Sequence, residues 1–355
     1  MANEDFEKGL NWLQQDFTKY EGKPFAHFYC PLMKTDEPTE LCVAHVMPRC
    51  LPDTSRLCVI QRKDIDGFYG SYAEADFATM LEAREKGMNG ILRDRALLKK
   101  IKPTLMVGGK KVDYYPAQGT IRDNHTHFRF TPPDGSDPID LVLKIPLVEA
   151  LAAQSQPWSW SFEFDCTVTS LVTLIKSAYL TLFRLHGYKW ALSPGGKSIG
   201  YALLGEFFRE NRSKEPEEIK AALRKTFLRY KNLVRPVTSF TQGLQSAGIQ
   251  RKGTLNDFQS GVCIGASGNF FAEIILIRVA KHFFGVILPA FDNATSATAY
   301  FDFLQNSNET LRVHRTQFDP VNNKFQMEQN PMDVHWPKGE DGFELEQPSG
   351  VFIRT

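Results

Sequence analysis

The hydrophobic and polar positions change period several times along the chain. Phe6, Leu10, Leu13 and Phe17 recur at three- and four-residue intervals, which predicts an amphipathic N-terminal helix packed along one face. From Cys30 the pattern shortens to two extended apolar runs, LCVAHVM and LCVIQRK. RCLPDTSR joins them, and its Pro52, Asp53, Thr54 and Ser55 are turn formers. A helix is predicted next, from about Ser71 to Lys86, with Ser71 as N-cap and Glu74 three residues on. The order is strand, strand, helix.

Thr104 to Ile145 reads as strands around turns, with Gly108-Gly109 at one bend and Pro-Pro-Asp-Gly at another. After QSQPWSWSF, the stretch Thr167 to His186 is apolar almost all round, the pattern of a helix buried in a large core. Further helices are predicted in GYALLGEFFREN and EIKAALRKTFLRYKNLV, and strands in FFAEIILIRVA, HFFGVILPAF, LRVHRTQF and NKFQMEQN. Separate helices and strand pairs, with no repeat of fixed period, indicate an α+β fold rather than a regularly alternating α/β sheet. We expect residues 1–102 to form an N-terminal module, comprising the amphipathic helix, the strand-strand-helix run and a basic tail. Residues 103–355 are expected to form a larger mixed α+β domain.

Composition changes this picture in two ways. Lys plus Arg number 42 against 41 Asp plus Glu, a net charge of +1, so any polyanion-binding surface must be a local patch. REKGMNGILRDRALLKKIK is the most basic segment, and Arg93, Arg95, Lys99, Lys100 and Lys102 within it read either as a solvated helix face or as phosphate contacts. The acidic, amphipathic N-terminus is unlike a secretory signal. Lys176, Arg184, Glu273, Arg278 and Lys281 interrupt the most apolar stretches, so no membrane span is expected. A cytoplasmic location follows as an expectation, with the six cysteines as reduced thiols or metal ligands.

Several motifs fail on spacing. SPGGKSIG ends like a phosphate-binding loop but has Ala191 where that loop needs its first glycine, and GVCIGASGNF lacks the dinucleotide-binding glycine spacing. No Gly-x-Ser-x-Gly elbow is present. His125 and His127 in HTHF lie on one face of a predicted strand, either as surface residues or as a metal pair.

His45 remains, at the end of a strand and followed by a hairpin return and a helix bearing acids. Such an arrangement suits phosphodiester hydrolysis: the imidazole deprotonates a water, and a divalent ion stabilises the leaving oxygen. Asp64, Asp66, Glu74 and Asp76 are the candidate acids. Asp64 and Asp66 read equally well as an ordinary polar turn. Asp76, on the predicted packed face with Tyr72, Met80 and Ala83, needs a cationic partner. Cys30, Cys42, Cys50 and Cys58 could hold zinc, but their spacings of twelve, eight and eight match no standard pattern, and cysteine is also common in strand cores.

ELCVAHVMPRCL, VIQRKDIDGFYGS and EADF together resemble the HNH-type (ββα-metal) endonucleases, in a bacterial variant, over about Cys30 to Phe77. The resemblance implies a ββα-metal or treble-clef-like module and an endonuclease, dependent on Mg²⁺ or Mn²⁺, with a role in bacterial defence. It places His45 on the family's general base, with Asp64 and Asp66 as further catalytic acids and Glu74, Asp76 and His45 as metal ligands. Two family residues lack a match: the orienting asparagine falls on Gly67, and the helix histidine would have to be replaced by Glu74 or Asp76. Met33 stands where a zinc knuckle has its second cysteine. The implied partner is nucleic acid, DNA before RNA, with residues 103–355 recognising a target, a regulatory ligand or a second copy in a homodimer. The alternative is a non-catalytic binding protein that uses the same module as scaffold.

Overall fold

The protein is described here by a computed structural model covering residues 3–48, 58–116, 125–130, 137–163 and 167–203, with 218, 221 and a set of strands between 234 and 354. In chain order the elements begin α1 (Asn3–Glu21), β1 (Leu41–His45), β2 (Cys58–Arg62), α2 (Lys63–Tyr69), a π-helical turn (Gly70–Glu74), α3 (Ala75–Arg93) and α4 (Arg95–Ile101). β3 (Thr104–Val107), β4 (Lys110–Val112), β5 (Tyr114–Pro116), β6 (Thr126–Phe130), β7 (Ile139–Leu143), α5 (Leu147–Gln154) and β8 (Trp158–Glu163) follow. Next come α6 (Thr167–His186), α7 (Tyr188–Ala191) and α8 (Pro194–Ala202). The strands β9 (Val234–Pro236), β10 (Gly261–Ser267), β11 (Phe270–Val279), β12 (His282–Pro289), β13 (Thr310–Asp319), β14 (Lys324–Met327), β15 (Met332–His335) and β16 (Ser349–Arg354) complete the chain. The mixture is α+β, as the sequence indicates. The helices expected in GYALLGEFFREN and EIKAALRKTFLRYKNLV fall largely outside the described residues.

Two compact units form, Met1–Glu74 with Val168–Glu344, and Ala75–Thr167 with Leu345–Thr355. This differs from the expected division at residue 102. Residues of α3 and α4 share one core with β3, β7 and β8, and β16 pairs with β8, so the chain's end belongs with its middle.

In the first unit, α1 buries Leu13 and Phe17 as predicted. Phe17 meets Phe25, Tyr29 and Tyr188 at ring-centroid distances of 5.6, 4.8 and 4.9 Å. Gly187, at φ 59°, leads into α7, and the Asp16 carboxylate accepts a 2.6 Å hydrogen bond from the Tyr188 N–H. β1 and β2 form the expected antiparallel hairpin, with His45 opposite Cys58 and Leu41 opposite Arg62. The helix after it starts at Lys63, eight residues before the predicted Ser71. Ser71 is no cap: its hydroxyl donates back to the Gly67 and Phe68 carbonyls at 2.8 and 3.2 Å. The predicted end at Lys86 fits better, because Gly87 at φ 62° breaks α3.

α6 is buried from Thr169 through Phe183. Its burial matches the sequence reading but its chemistry does not, since Thr169, Ser170, Thr173, Lys176, Ser177 and Thr181 form a polar stripe on one side. Thr173 and Thr181 satisfy their hydroxyls on the carbonyls four residues back, each at 2.8 Å. SPGGKSIG is helical: Ser193 Oγ accepts from the Gly196 N–H at 3.0 Å and caps α8. An antiparallel sheet ordered β14-β13-β10-β11-β12-β9, with β15 pairing the first residues of β13 and β14 its last, completes this unit, and β12 buries Val286 and Leu288 at strand spacing.

The second unit has two antiparallel sheets, β16-β8-β3-β4 and β5-β7-β6. Leu97, Leu98, Ile101, Leu105, Leu141 and Trp160 are among the residues of its core. Gly108 and Gly109, at φ 55° and 76°, make the tight β3–β4 turn that the sequence predicts. Asp94 caps α4 by accepting from the Ala96 and Leu97 N–H groups at 2.9 and 3.0 Å.

Candidate functional site

Side chains alternate across the β1–β2 hairpin, so its register decides what can meet. Leu41, Val43, His45, Cys58, Ile60 and Arg62 share one face, while Cys42, Ala44, Val59 and Gln61 share the other. Cys42 and Cys58 therefore project in opposite directions and cannot contribute to one tetrahedral site. Cys30 is fully buried elsewhere, and Cys50 lies outside the described residues. Burial pushes the half-buried Cys42 thiol up to about 11, with Asp66 adding to the shift. The Cys30 turn nevertheless has a knuckle-like shape. Cys30 Sγ accepts from the Met33 N–H at 3.4 Å, and Lys34 closes the turn at φ 56°.

His45 sits half-buried at the tip end of the hairpin, and Arg62 ends β2 four rungs away, about 13 Å along the strands. Asp64 and Asp66 follow Arg62 in the first turn of α2 rather than in a polar turn, at the opposite end of the hairpin from His45. The expected His45–Asp64–Asp66 constellation is not brought together.

Cations occupy two of the acids. Arg62, only 3% exposed, holds Asp64 in a bidentate pair, Nε to Oδ1 at 3.1 Å and Nη2 to Oδ2 at 2.8 Å. Its Nη1 donates to Glu37 Oε2 at 3.0 Å and to Thr35 Oγ1 at 3.4 Å. A depression of about 440 Å³ lies over this group, lined by Pro38, Thr39, Glu40, Arg62, Lys63 and Asp64. Lys176, completely buried on α6, pairs with Glu74 at 2.5 Å and lies 5.4 Å from the Tyr69 ring centroid. Asp76 opens α3 in the other unit. Among the described residues, no group of three or more His, Cys, Asp or Glu side chains converges in a way that could hold a metal ion.

A third cation, half-buried Lys34, donates to Tyr179 Oη at 2.8 Å and to the Ala191 carbonyl at 2.7 Å. Tyr179 in turn donates to the Pro31 carbonyl at 2.8 Å. Desolvation lowers Lys34 to about 7, opposed by Cys30 and reinforced by Lys197. Sequence reading missed Lys34, Arg62 and Lys176. For Lys176 the available signal was a basic residue inside an apolar run, which demands a buried acid or a fixed acceptor, while Lys34 and Arg62 stand beside polar residues and gave no such signal.

The basic segment of the second unit divides in two. Arg93 donates to the Asp137 carbonyl and lies 3.8 Å from its carboxylate, and Lys86 pairs with Glu82 and Asp94 at 2.6 and 2.5 Å. Arg95 is exposed and also has a partner. Lys99, Lys100 and Lys102 are exposed, with no acidic partner among the described residues. His127 Nε2 lies 3.3 Å from Asp140 Oδ1, and His125 stacks edge-on to Tyr115, which accounts for both histidines of HTHF without a metal. Compared with known protein families, curated proteins and solved structures, the chain matches none.

Proposed function

We propose that the protein binds nucleic acid without cutting it, and that its hairpin-and-helix module is an HNH-like, treble-clef-like scaffold. One observation carries this reading: two of the four candidate acids for a catalytic metal are already paired with cations, Asp64 with Arg62 and Glu74 with buried Lys176. A guanidinium or ammonium in the place of a divalent ion stabilises the carboxylate but supplies no polarised water. Phosphate contact falls to Lys99, Lys100 and Lys102, the part of the basic segment left exposed and unpaired among the described residues.

One observation favours the second reading, an endonuclease dependent on Mg²⁺ or Mn²⁺. His45 is half-buried at the end of β1, the strand-end position that the resemblance gives to a general base.

One experiment separates the two. Duplex DNA and structured RNA are titrated across a salt series, and supercoiled plasmid is incubated with Mg²⁺ or Mn²⁺. The scaffold reading expects salt-dependent binding, no cleavage, and a slope of log K against log salt reduced by about 2–3 when the three lysines become alanine. Metal-dependent cutting that disappears in folded His45→Ala would establish the nuclease instead.

A further inference from the structure

We propose that Lys34 is a carbamylation site, an amine that takes up carbon dioxide reversibly and so turns a basic side chain into an anionic one. This goes beyond nucleic-acid binding and does not depend on it. The contrast with Arg62 and Lys176 shows what sets Lys34 apart. Those two cations meet carboxylates, Asp64 and Glu37 in one case and Glu74 in the other. Lys34 Nζ donates instead to a hydroxyl and a carbonyl, 2.8 Å from Tyr179 Oη and 2.7 Å from the Ala191 oxygen. Tyr179 spends its own proton on the Pro31 carbonyl at 2.8 Å, so Lys34 is the donor in the bond between them. A neutral amine has two hydrogens and one lone pair. These two acceptors account for both hydrogens and leave the lone pair, which is the nucleophile.

The surroundings favour first the free base and then the product. Tyr179, Ala191 and Gly200 bring α6, α7 and α8 around the amine, and a Cβ on Gly200 would lie 2.9 Å from Lys34 Cε and 3.2 Å from Nζ. Enclosure among neutral groups disfavours the ammonium. Desolvation accordingly lowers Lys34 to about 7, with Cys30 opposing and Lys197 pushing the same way. At pH 7.5 roughly three-quarters of Lys34 is then free base, against on the order of one part in a thousand for an exposed lysine. Lys197 is exposed and lies one helical turn before Gly200 on α8. Its charge repels an ammonium at Lys34 and attracts a carbamate there.

In the reaction the lone pair attacks the carbon of CO₂, one C=O π pair moves onto oxygen, and one N–H proton leaves to solvent. The products are the N-carboxylate and H⁺. The N–H that remains keeps one of the two acceptors. Lys34 is half-buried, so the amine is enclosed without being sealed, and a small uncharged electrophile suits that access. An aldehyde suits it less, because a neutral imine nitrogen gives up both N–H donors and offers Lys197 no negative charge.

The test is incubation of the full chain with isotopically labelled bicarbonate at pH 7.5, followed by triethyloxonium trapping and peptide mass spectrometry. Wild type should carry the trapped carbamate at Lys34 at least about tenfold above exposed Lys99 or Lys110, in line with its larger free-base fraction. The corresponding carbon NMR resonance should vanish in Lys34→Met and weaken severalfold in Lys197→Glu, whose exposed site leaves the melting temperature unchanged. Trapping is read in wild type, so the result does not depend on how well Lys34→Met folds. Occupancy at Lys34 no higher than at the exposed lysines overturns the proposal. Occupancy that Lys197→Glu leaves unchanged does so too, since the neighbouring cation would then not hold the product.

Discussion

Lys176→Met tests the structure where most is at stake. Lys176 is completely buried and Glu74 only 13% exposed, so removing the ammonium leaves a carboxylate in the interior with no cation. Breaking a buried pair in this way costs about 3–5 kcal/mol, because the remaining charge keeps its desolvation penalty and loses its compensation. Replacing both partners, as Lys176→Met with Glu74→Leu, removes both charges. It should recover most of that loss, ending within about 1 kcal/mol of wild type or above it. Urea unfolding of the four proteins, followed by far-ultraviolet circular dichroism, gives the cycle directly. The single substitution should lower the melting temperature by roughly 6–20 °C, at about 2–4 °C per kcal/mol for a unit of this size. Additive losses in the double variant would refute the pairing. So would a single variant within 1 kcal/mol of wild type, since Glu74 would then have another source of compensation, and the case against a metal at Glu74 would lapse.

Gly187→Ala should cost at least about 2 kcal/mol by thermal melting, because its Cβ would fall 2.1 Å from Asp16 Oδ2 at a backbone φ of 59°. Gly196→Ala should do comparable damage, its Cβ lying 1.9 Å from the Trp190 carbonyl oxygen, whereas Gly67→Ala on the exposed side of α2, with nothing within 4 Å, should stabilise by about 0.5–1 kcal/mol. Stability should rise with pH between 7 and 9, by up to about 1.4 kcal/mol per pH unit, because folded Lys34 releases a proton near 7 that the unfolded chain holds to an ordinary lysine value. Urea midpoints across that window should flatten in Lys34→Met. Above pH 9 the trend should reverse as the unfolded thiols of Cys30 and Cys42 ionise while burial keeps the folded ones protonated.

Local signals carried the hairpin, the Gly108-Gly109 turn and the N-terminal helix, since each depends on residues a few positions apart. The α2 start was misplaced for a local reason too. Asp64-Ile65-Asp66-Gly67 has turn composition, yet Ile65, Tyr69 and Ala73 recur every four residues and are all fully buried. Periodicity outweighs composition there. Domain boundaries were not legible, because the pairing of β16 with β8 joins residues nearly two hundred positions apart, and no turn or linker announces it.

The candidate site failed to read through for the same reason, and the consequence is chemical. The sequence displays acids and a histidine at intervals that suit a metal-dependent nuclease, but intervals say nothing of which charges neutralise which. Arg62 stands two residues from Asp64 and could be seen as its partner; Lys176 stands 102 residues from Glu74 and could not. In water each acid would be an open ligand. In the folded chain Asp64 and Glu74 are each matched by a buried cation, and a divalent ion entering at Glu74 would have to expel an ammonium with nowhere else to put its charge. His45 stands at the opposite end of the hairpin from Asp64 and Asp66. The two occupied acids, Asp64 and Glu74, are why the scaffold reading is proposed ahead of the nuclease reading, and why the Lys176–Glu74 cycle bears on function as much as on stability.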